Sequence, residues 1–337
     1  MKNNFYENLL SSSQPYIIAE IGSNHNGSIS LGKKIIKNAK NSGADCVKFQ
    51  SWTPETLYNM PNLSDKNFKN DIIKYQTTQN QLQKFFDFSK SLKIDFSSSV
   101  FSKQEIDFVA SKLNVPFIKI ASMDLNNMDL ISYAAKKNKP LIISTGLSTL
   151  SEIDNAIRVI EENNNKKIII LHCISNYPPK DSEVNLRNIE TLTKLYPYPI
   201  GFSDHSIGTA IPLTAIALGA KIIEKHFTID KKLKGWDHAI SANPQEMTEI
   251  CNNAPRVINS LGSFSIKRVE SKDKIKNFRR SCISNTNLYP GDVISLNNIE
   301  FKRPGTGIPP DKFDLIEGKV VKNKILKNFQ IKLKDLK

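Results

Sequence analysis

No apolar run in the sequence approaches the roughly 20 residues that a membrane-spanning helix needs. The opening stretch, residues 1–14, is polar and lacks the apolar core of a secretion signal. Cysteine is scarce: Cys46, Cys173, Cys251 and Cys282 are widely scattered, and no pair has metal-ligand spacing. Cys46 and Cys173 fall within segments that read as buried strands, so a reduced, cytoplasmic protein is expected. No Gly-x-Gly-x-x-Gly follows the first strand, which weakens the alternative of a doubly wound nucleotide-binding sheet. Acidic residues are outnumbered, 33 against 47 Lys and Arg, for a net charge of +14. Residues 264–337 carry 17 of the cations against 8 acids, spread among hydrophobic positions rather than clustered with aromatics. That distribution describes a solvated lysine-rich surface and argues against nucleic-acid binding, although anionic small substrates would profit from the field.

What is present is a repeating alternation. Short β-branched segments are expected at 16–20, 46–50, 94–100, 117–122, 141–145, 167–173, 200–204 and 221–227, mostly followed by helical periodicity. Leu31, Ile35, Ile36 and Ala39 recur at helical spacing, residues 82–92 and 129–137 read as helices, and Ser102 with Glu105 and Thr149 with Glu152 form capping boxes. Asn243, Pro244 and Glu246 open a last helix. Residues 51–80 read as a longer polar insertion. Eight strands in about 250 residues is the count of a (β/α)8 TIM barrel. The expected organisation is a barrel over 1–262, a polar linker over 263–280 and a small β-rich domain over 281–337. That last domain contains the turn Tyr289-Pro290-Gly291-Asp292 and is too small to be comfortable undocked.

The unit around 199–228 carries the strongest chemical signal. Two strands end on His205 and His226, and the helix between them starts with Pro212 and closes at Gly219. In one strand–helix–strand unit both histidines emerge at the same sheet edge, about 4.8 Å apart, where two imidazoles can share a divalent ion. The other strand ends present Glu20, Lys48 with Gln50, Ser99, Lys119 with Ser122, Ser144, Ser175 with Tyr177, and Ser203. Lysines inside apolar strands are costly unless paired. Lys48 and Lys119, with hydroxyls aimed at one mouth, describe a receptor for a doubly anionic ligand. A structural ion pair with Glu20 is the plain alternative.

The segments 17–27 (Ile-Ile-Ala-Glu-Ile-Gly-Ser-Asn-His-Asn-Gly), 44–50 (Ala-Asp-Cys-Val-Lys-Phe-Gln), 118–122 (Ile-Lys-Ile-Ala-Ser) and 144–146 (Ser-Thr-Gly) are similar to the sialic acid synthase family. So are 171–178 (Leu-His-Cys-Ile-Ser-Asn-Tyr-Pro), 203–206 (Ser-Asp-His-Ser), 224–228 (Glu-Lys-His-Phe-Thr) and 302–307 (Lys-Arg-Pro-Gly-Thr-Gly). The resemblance runs over nearly the whole chain, in the family's order and spacing. It implies a TIM barrel followed by an antifreeze-like (SAF) domain, and a condensation of phosphoenolpyruvate with an N-acetylmannosamine-type sugar. The product would be a nine-carbon 2-keto acid, released with phosphate, in a reaction dependent on Mn2+ or Mg2+. It further implies a domain-swapped homodimer.

On the same ground, His205 and His226 match the metal ligands, and Lys48, Ser99, Lys119, Ser122, Ser144, Ser175 and Ser203 match the phosphoenolpyruvate site. Glu20, Gln50, Tyr177 and Asp237 match the sugar side, with Arg303 supplied in trans. Glu20 and Lys119 are also expected to act in catalysis. Two departures stand out. Asp124 occupies the place where the family usually has a glutamate that handles the attacking water, and is expected to be the general base. Trp236 and His238 replace the commoner residues beside Asp237. A legionaminic- or pseudaminic-type acceptor, a 2,4-diacetamido-6-deoxy hexose, is the nearest alternative; a pyruvate aldolase and a carbohydrate-binding protein are more distant ones.

Overall fold

Each of the eight expected segments is a strand, and the eight close on themselves. The computed structural model describes residues 5–337. In it β1 (Tyr16–Gly22), β2 (Cys46–Ser51), β3 (Asp95–Val100), β4 (Ile118–Ile120), β5 (Leu141–Ser144), β6 (Ile168–Cys173), β7 (Ile200–Asp204) and β8 (Ile222–His226) pair in chain order. β8 returns to β1 in parallel, which completes a (β/α)8 barrel. The strands are almost entirely buried, as expected when helices cover the outside and side chains fill the inside.

Outside the sheet, side chains such as Ile17, Ala19 and Ile21 pack against Ile35, Ile36 and Ala39 of the helix Ile29–Asn41. Inside it, Ile18, Cys46, Phe117, Ile142, Ile169 and Ile222 make a separate apolar cluster in the lower half of the barrel. A first helix, α1 (Phe5–Ser11), seats Phe5 and Leu9 in that cluster, with the Phe5 ring 4.9 Å from Phe117 and 5.1 Å from Tyr16. The polar reading of residues 1–14 gave no hint of it, because only two of its seven residues are buried.

Local signals explain most element ends. Thr149 with Glu152 and Asn243 with Glu246 are reciprocal capping boxes. Ser102 caps the backbone of Glu105 at 3.3 Å, and the Glu105 carboxylate is held from several sides. It accepts from Phe101 N at 2.8 Å and from Thr56 Oγ1 at 2.8 Å, which ties the insertion after β2 to the end of β3. β4 stops at Ile120 rather than running to Ser122, because Ser122–Asp124 turns into a short 3₁₀ segment. The insertion at 51–80 is not merely polar: it holds the helices Pro54–Leu57 and Lys66–Tyr75 and buries Trp52, Ile72 and Tyr75 together.

The compact unit Met1–Gly262 is followed by a second, Ser263–Lys337. In the second unit a helix at Lys272–Phe278 precedes the antiparallel pair β9 (Ser281–Ser284) and β10 (Ile299–Lys302). Its own core contains Cys282, Leu288, Ile294, Ile299, Ile316, Val321 and Ile331. The Tyr-Pro-Gly-Asp turn forms with Gly291 at φ 103°, a left-handed position suited to glycine, and the Asp292 carboxylate accepts from Tyr289 N at 2.7 Å.

Candidate active site

Strand register sets the site. Glu20 lies opposite Lys48 on one side and His226 on the other, and Ser99 lies opposite both Gln50 and Lys119. Ser203 lies opposite Cys173 and Glu224. Since side chains alternate along a strand, Glu224 and His226 of β8 point the same way, into the barrel's upper mouth. There they line a cavity of about 350 Å³ with Glu20, Lys48, Gln50, Ser99, Lys119, Ser122, Ser144, Ser175, Tyr177, Ser203, His205 and Asp237. Thirteen of the fifteen residues expected at the site on sequence grounds therefore meet in one place, joined by Glu224.

The floor of the cavity is a buried charge network. Lys48 pairs with Glu20, donates to Ser99 Oγ at 2.9 Å and lies 3.6 Å from Glu224. Lys119 donates to Ser144 Oγ at 2.7 Å and lies 3.9 Å from the Glu224 carboxylate, which accepts from Ser203 Oγ at 2.9 Å. Burial alone would raise both glutamates. For Glu224 the two lysines and the Ser203 hydroxyl overcome it and hold the carboxyl down at about 2. For Glu20 burial prevails over Lys48, with Glu224 adding to it, and the carboxyl is pushed up to about 7. Burial likewise pulls Lys119 below its ordinary value, whereas Glu20 and Glu224 outweigh burial at Lys48 and raise it. The network thus holds two cations beside one firmly ionised carboxylate and one that can carry a proton near neutrality.

Above Lys119 the backbone itself shapes the cavity. Gly146 N donates to Ser122 Oγ at 3.1 Å, and a Cβ on Gly146 would stand 2.3 Å from Ser175 Oγ and 2.8 Å from Ser122 Oγ. Only glycine lets the three serine-bearing segments converge here.

The two histidine rings lie 5.4 Å apart between centroids, at 41°, and Tyr177 covers His205 at 4.1 Å. His205 Nδ1 donates to the Ile174 carbonyl at 2.8 Å, which leaves its Nε2 free as a ligand atom. His226 Nδ1 is buried without a hydrogen-bond partner, 3.8 Å from Asp237 Oδ2. Burial first, then nearby His205 and Lys48, holds His226 well below its usual value, in the neutral form that binds metal. Among the described residues no three His, Cys, Asp or Glu side chains are arranged as a complete metal cage. An orphaned buried imidazole nitrogen beside a second free one fits an open two-histidine site completed by water and substrate.

Two expected residues stand apart. Asp124 does not line the cavity; its neighbour Met123 does, while Asp124 Oδ1 accepts from Asn127 Nδ2 at 3.4 Å. The other Asp124 oxygen is buried without a hydrogen-bond partner, and burial raises this carboxyl above its ordinary value; among the carboxylates that line the cavity, Glu20 is pushed up to about 7. Arg303 belongs to the second unit, where its guanidinium lies 4.7 Å over the Phe278 ring. Three features of the site escaped the sequence reading: the lining residue Glu224, the close approach at Gly146, and the rings of Trp52 and Tyr58 that make an apolar wall with Trp236. Glu224 was recoverable, since it stands two residues before His226 on a strand and so shares its face.

Similarity to known proteins agrees with this arrangement. Residues 35–265 match the NeuB family and residues 279–337 the SAF domain. The chain is 37% identical to N,N'-diacetyllegionaminic acid synthase of Legionella pneumophila, over 90% of this chain and 89% of that protein. It is 32% identical to human N-acetylneuraminate-9-phosphate synthase, over 91% and 88%. The crystal structure of N-acetylneuraminic acid (sialic acid) synthetase from Leptospira borgpetersenii, in complex with citrate, superposes with a TM-score of 0.72 at 33% identity, covering 78% of this chain and 90% of that one.

Proposed function

We infer the reaction from one premise: the chain belongs to the NeuB family, the nonulosonic acid synthases, and carries a SAF domain. We propose that it condenses phosphoenolpyruvate and water with a 2-acetamido aldose, N-acetylmannosamine or a 2,4-diacetamido-6-deoxy relative, to a nine-carbon 2-keto acid plus phosphate. The observation that carries this reading is the convergence of two buried lysines and a ring of serine hydroxyls on one cavity that also holds the histidine pair.

Lys48, Lys119 and the hydroxyls of Ser99, Ser122, Ser144, Ser175 and Ser203 would bind the phosphate and carboxylate of phosphoenolpyruvate, offsetting their charge at fixed positions. Gln50, Tyr177 and Asp237 would hold the sugar, beside His205 and His226. A divalent ion, manganese or magnesium, held by those histidines would supply Lewis-acid polarisation of the sugar's aldehyde oxygen. A carbon–carbon bond then forms between C3 of phosphoenolpyruvate and the aldehyde carbon, whose oxygen takes up a proton. Water adds to the electron-poor C2 and loses a proton; the C2–O bond to phosphate then breaks as the new C2 hydroxyl becomes the keto group and its proton passes to the departing phosphate. Glu20, whose carboxyl burial pushes up to about 7, is a group on the cavity wall that would take a proton and return it.

For the second unit the proposal is docking on another copy of the chain in a domain-swapped homodimer, with Arg303 supplied in trans toward the sugar's acyl group. No helix among the described residues is long and apolar enough to cross a membrane. The proposal includes a cytoplasmic setting, the reducing compartment in which free cysteines such as these four are at home.

The test is phosphate release from phosphoenolpyruvate with manganese and each candidate sugar, with and without EDTA. Sugar-dependent release that EDTA abolishes is the expected result. Release without a sugar, or none with any of them, would contradict the proposal.

A further inference from the structure

Five aromatic rings on the barrel's upper rim have no part in the chemistry derived above. Trp236, in the loop after β8, stacks on Trp52, just past β2, with centroids 5.9 Å apart at 12°. Tyr75 meets Trp236 edge-on at 5.1 Å, Phe68 lies 6.1 Å from it, and Tyr58 meets Trp52 edge-on at 5.8 Å. Four of these rings come from the insertion at 51–80 and one from beyond β8, so two loops far apart in sequence converge here.

This cluster is more than the insertion's own core. Trp52, Tyr58 and Trp236 line the same cavity as the lysines and histidines, and Leu57, Phe101 and Met123 continue the apolar wall. Trp236 is 38% exposed, whereas Trp52 beneath it is 1% exposed: the lower ring is a foundation and the upper one a contact surface. Trp236 is also covalently next to Asp237, whose carboxylate lies 3.8 Å from His226. The cavity is therefore two-sided, with cationic and hydroxyl-lined ground at one side and ring faces on the side that adjoins the histidines.

Resting on the reading of the chain as a nonulosonic acid synthase, we propose that the Trp52–Trp236 stack is the acceptor-selecting subsite. It takes a sugar whose far end carries methyl groups, a deoxy carbon and a second acyl group, in preference to one that carries hydroxyls. Ring faces bury methyl groups favourably and offer no acceptors for hydroxyl protons, so a hydroxylated tail loses hydrogen bonds to water without replacement. Discrimination in an apolar pocket amounts to roughly tenfold to a hundredfold for such differences.

Trp52 and Trp236 are the chain's two tryptophans, so intrinsic fluorescence reports directly on the subsite. Titration of the protein, with manganese present, compares 2,4-diacetamido-2,4,6-trideoxymannose with N-acetylmannosamine, and steady-state phosphate release is measured in parallel. The trideoxy sugar is expected to change the emission at a concentration at least tenfold lower, with a correspondingly lower KM. Trp236→Ala is expected to bring the two sugars within about threefold by raising KM for the trideoxy sugar, with KM for phosphoenolpyruvate unchanged, and Trp236→Phe to retain the preference. Equal response to both sugars in the unaltered protein, or a Trp236→Ala defect shared by both sugars and phosphoenolpyruvate, would overturn the assignment. Phosphate release with neither sugar would refute the synthase reading, and the emission titration would still decide the subsite on its own.

Discussion

The two halves of the barrel interior are built by the same eight strands and could hardly differ more. Below, Ile18, Cys46, Phe117, Ile142, Ile169 and Ile222 fill the space with apolar side chains, and α1 plugs the end with Phe5 and Leu9. Two residues further along several of the same strands stand Glu20, Lys48, Lys119, Ser144 and Glu224, equally buried but charged or polar. The lower half is held by burial, which needs no orientation. The upper half spends some of that stability on charges kept apart from water, tolerable because every one has a partner of opposite sign or a hydroxyl. The fold thus separates the part that secures the barrel from the part that lines the cavity, so each is expected to be disturbed without the other.

The largest effect is expected where the upper half is cut. Lys48→Ala leaves Glu20 without its ion pair and Glu224 with Lys119 alone, both still buried. Breaking a buried pair from one side costs about 3–5 kcal/mol. Thermal denaturation should show that loss, and phosphate release should fall below detection. A stable Lys48→Ala protein with near-normal turnover would show that the network is neither strained nor used.

The lower half should give the converse result. Phe5→Ala removes a ring packed on Phe117 and Tyr16 and should cost about 3–5 kcal/mol by analogy with other buried Phe truncations. KM for both substrates should stay within about twofold at temperatures where the variant is folded, since α1 touches nothing in the upper cavity. Kinetics and a melting curve on one preparation decide this.

These two halves were not equally legible in the sequence. Strand ends were readable because a lysine or histidine closing an apolar β-branched run has few innocent explanations, and thirteen of fifteen expected residues line one cavity. Register, which the sequence does not state, is what added Glu224. α1 went unread because a seven-residue helix with two buried positions has almost no periodicity. The aromatic wall was hidden for a related reason: Trp52, Tyr58, Phe68 and Tyr75 are scattered through a polar insertion and become a cluster only when its helices fold. Asp124 is not among the lining residues, although its neighbour Met123 in the same 3₁₀ turn is, a distinction that sequence position alone does not make.

A smaller effect is expected at Gly146. In Gly146→Ala the new methyl would meet the Ser175 and Ser122 hydroxyls, so KM for phosphoenolpyruvate should rise about a hundredfold while the melting temperature moves little. An unchanged KM would mean that these serines do not face the substrate.

The smallest effect is in pH dependence. Glu20 sits at about 7 in the folded chain against an ordinary 4.5. Its folded-state value is raised, so its contribution to stability is full below about pH 4.5 and is lost as pH rises through 7. Glu224, lowered to about 2, has the opposite sign: its contribution holds above 4.5 and is lost as pH falls toward 2. Glu20→Gln should therefore flatten the decline in melting temperature between pH 5 and 8 by a few degrees, on the scale of ~2–4 °C per kcal/mol for a chain of this size. An unaltered profile would place the titration elsewhere.

The most direct measurement of the central claim, that the upper half is a built receptor for a doubly anionic substrate, is calorimetric titration of phosphoenolpyruvate into the unaltered chain and into Lys119→Met. Methionine keeps the volume and removes the charge that bonds Ser144. The account predicts one saturable site per chain in the unaltered protein and a loss of affinity of at least a hundredfold in Lys119→Met, with both proteins folded. Equal binding by the two, or none by either, would contradict it.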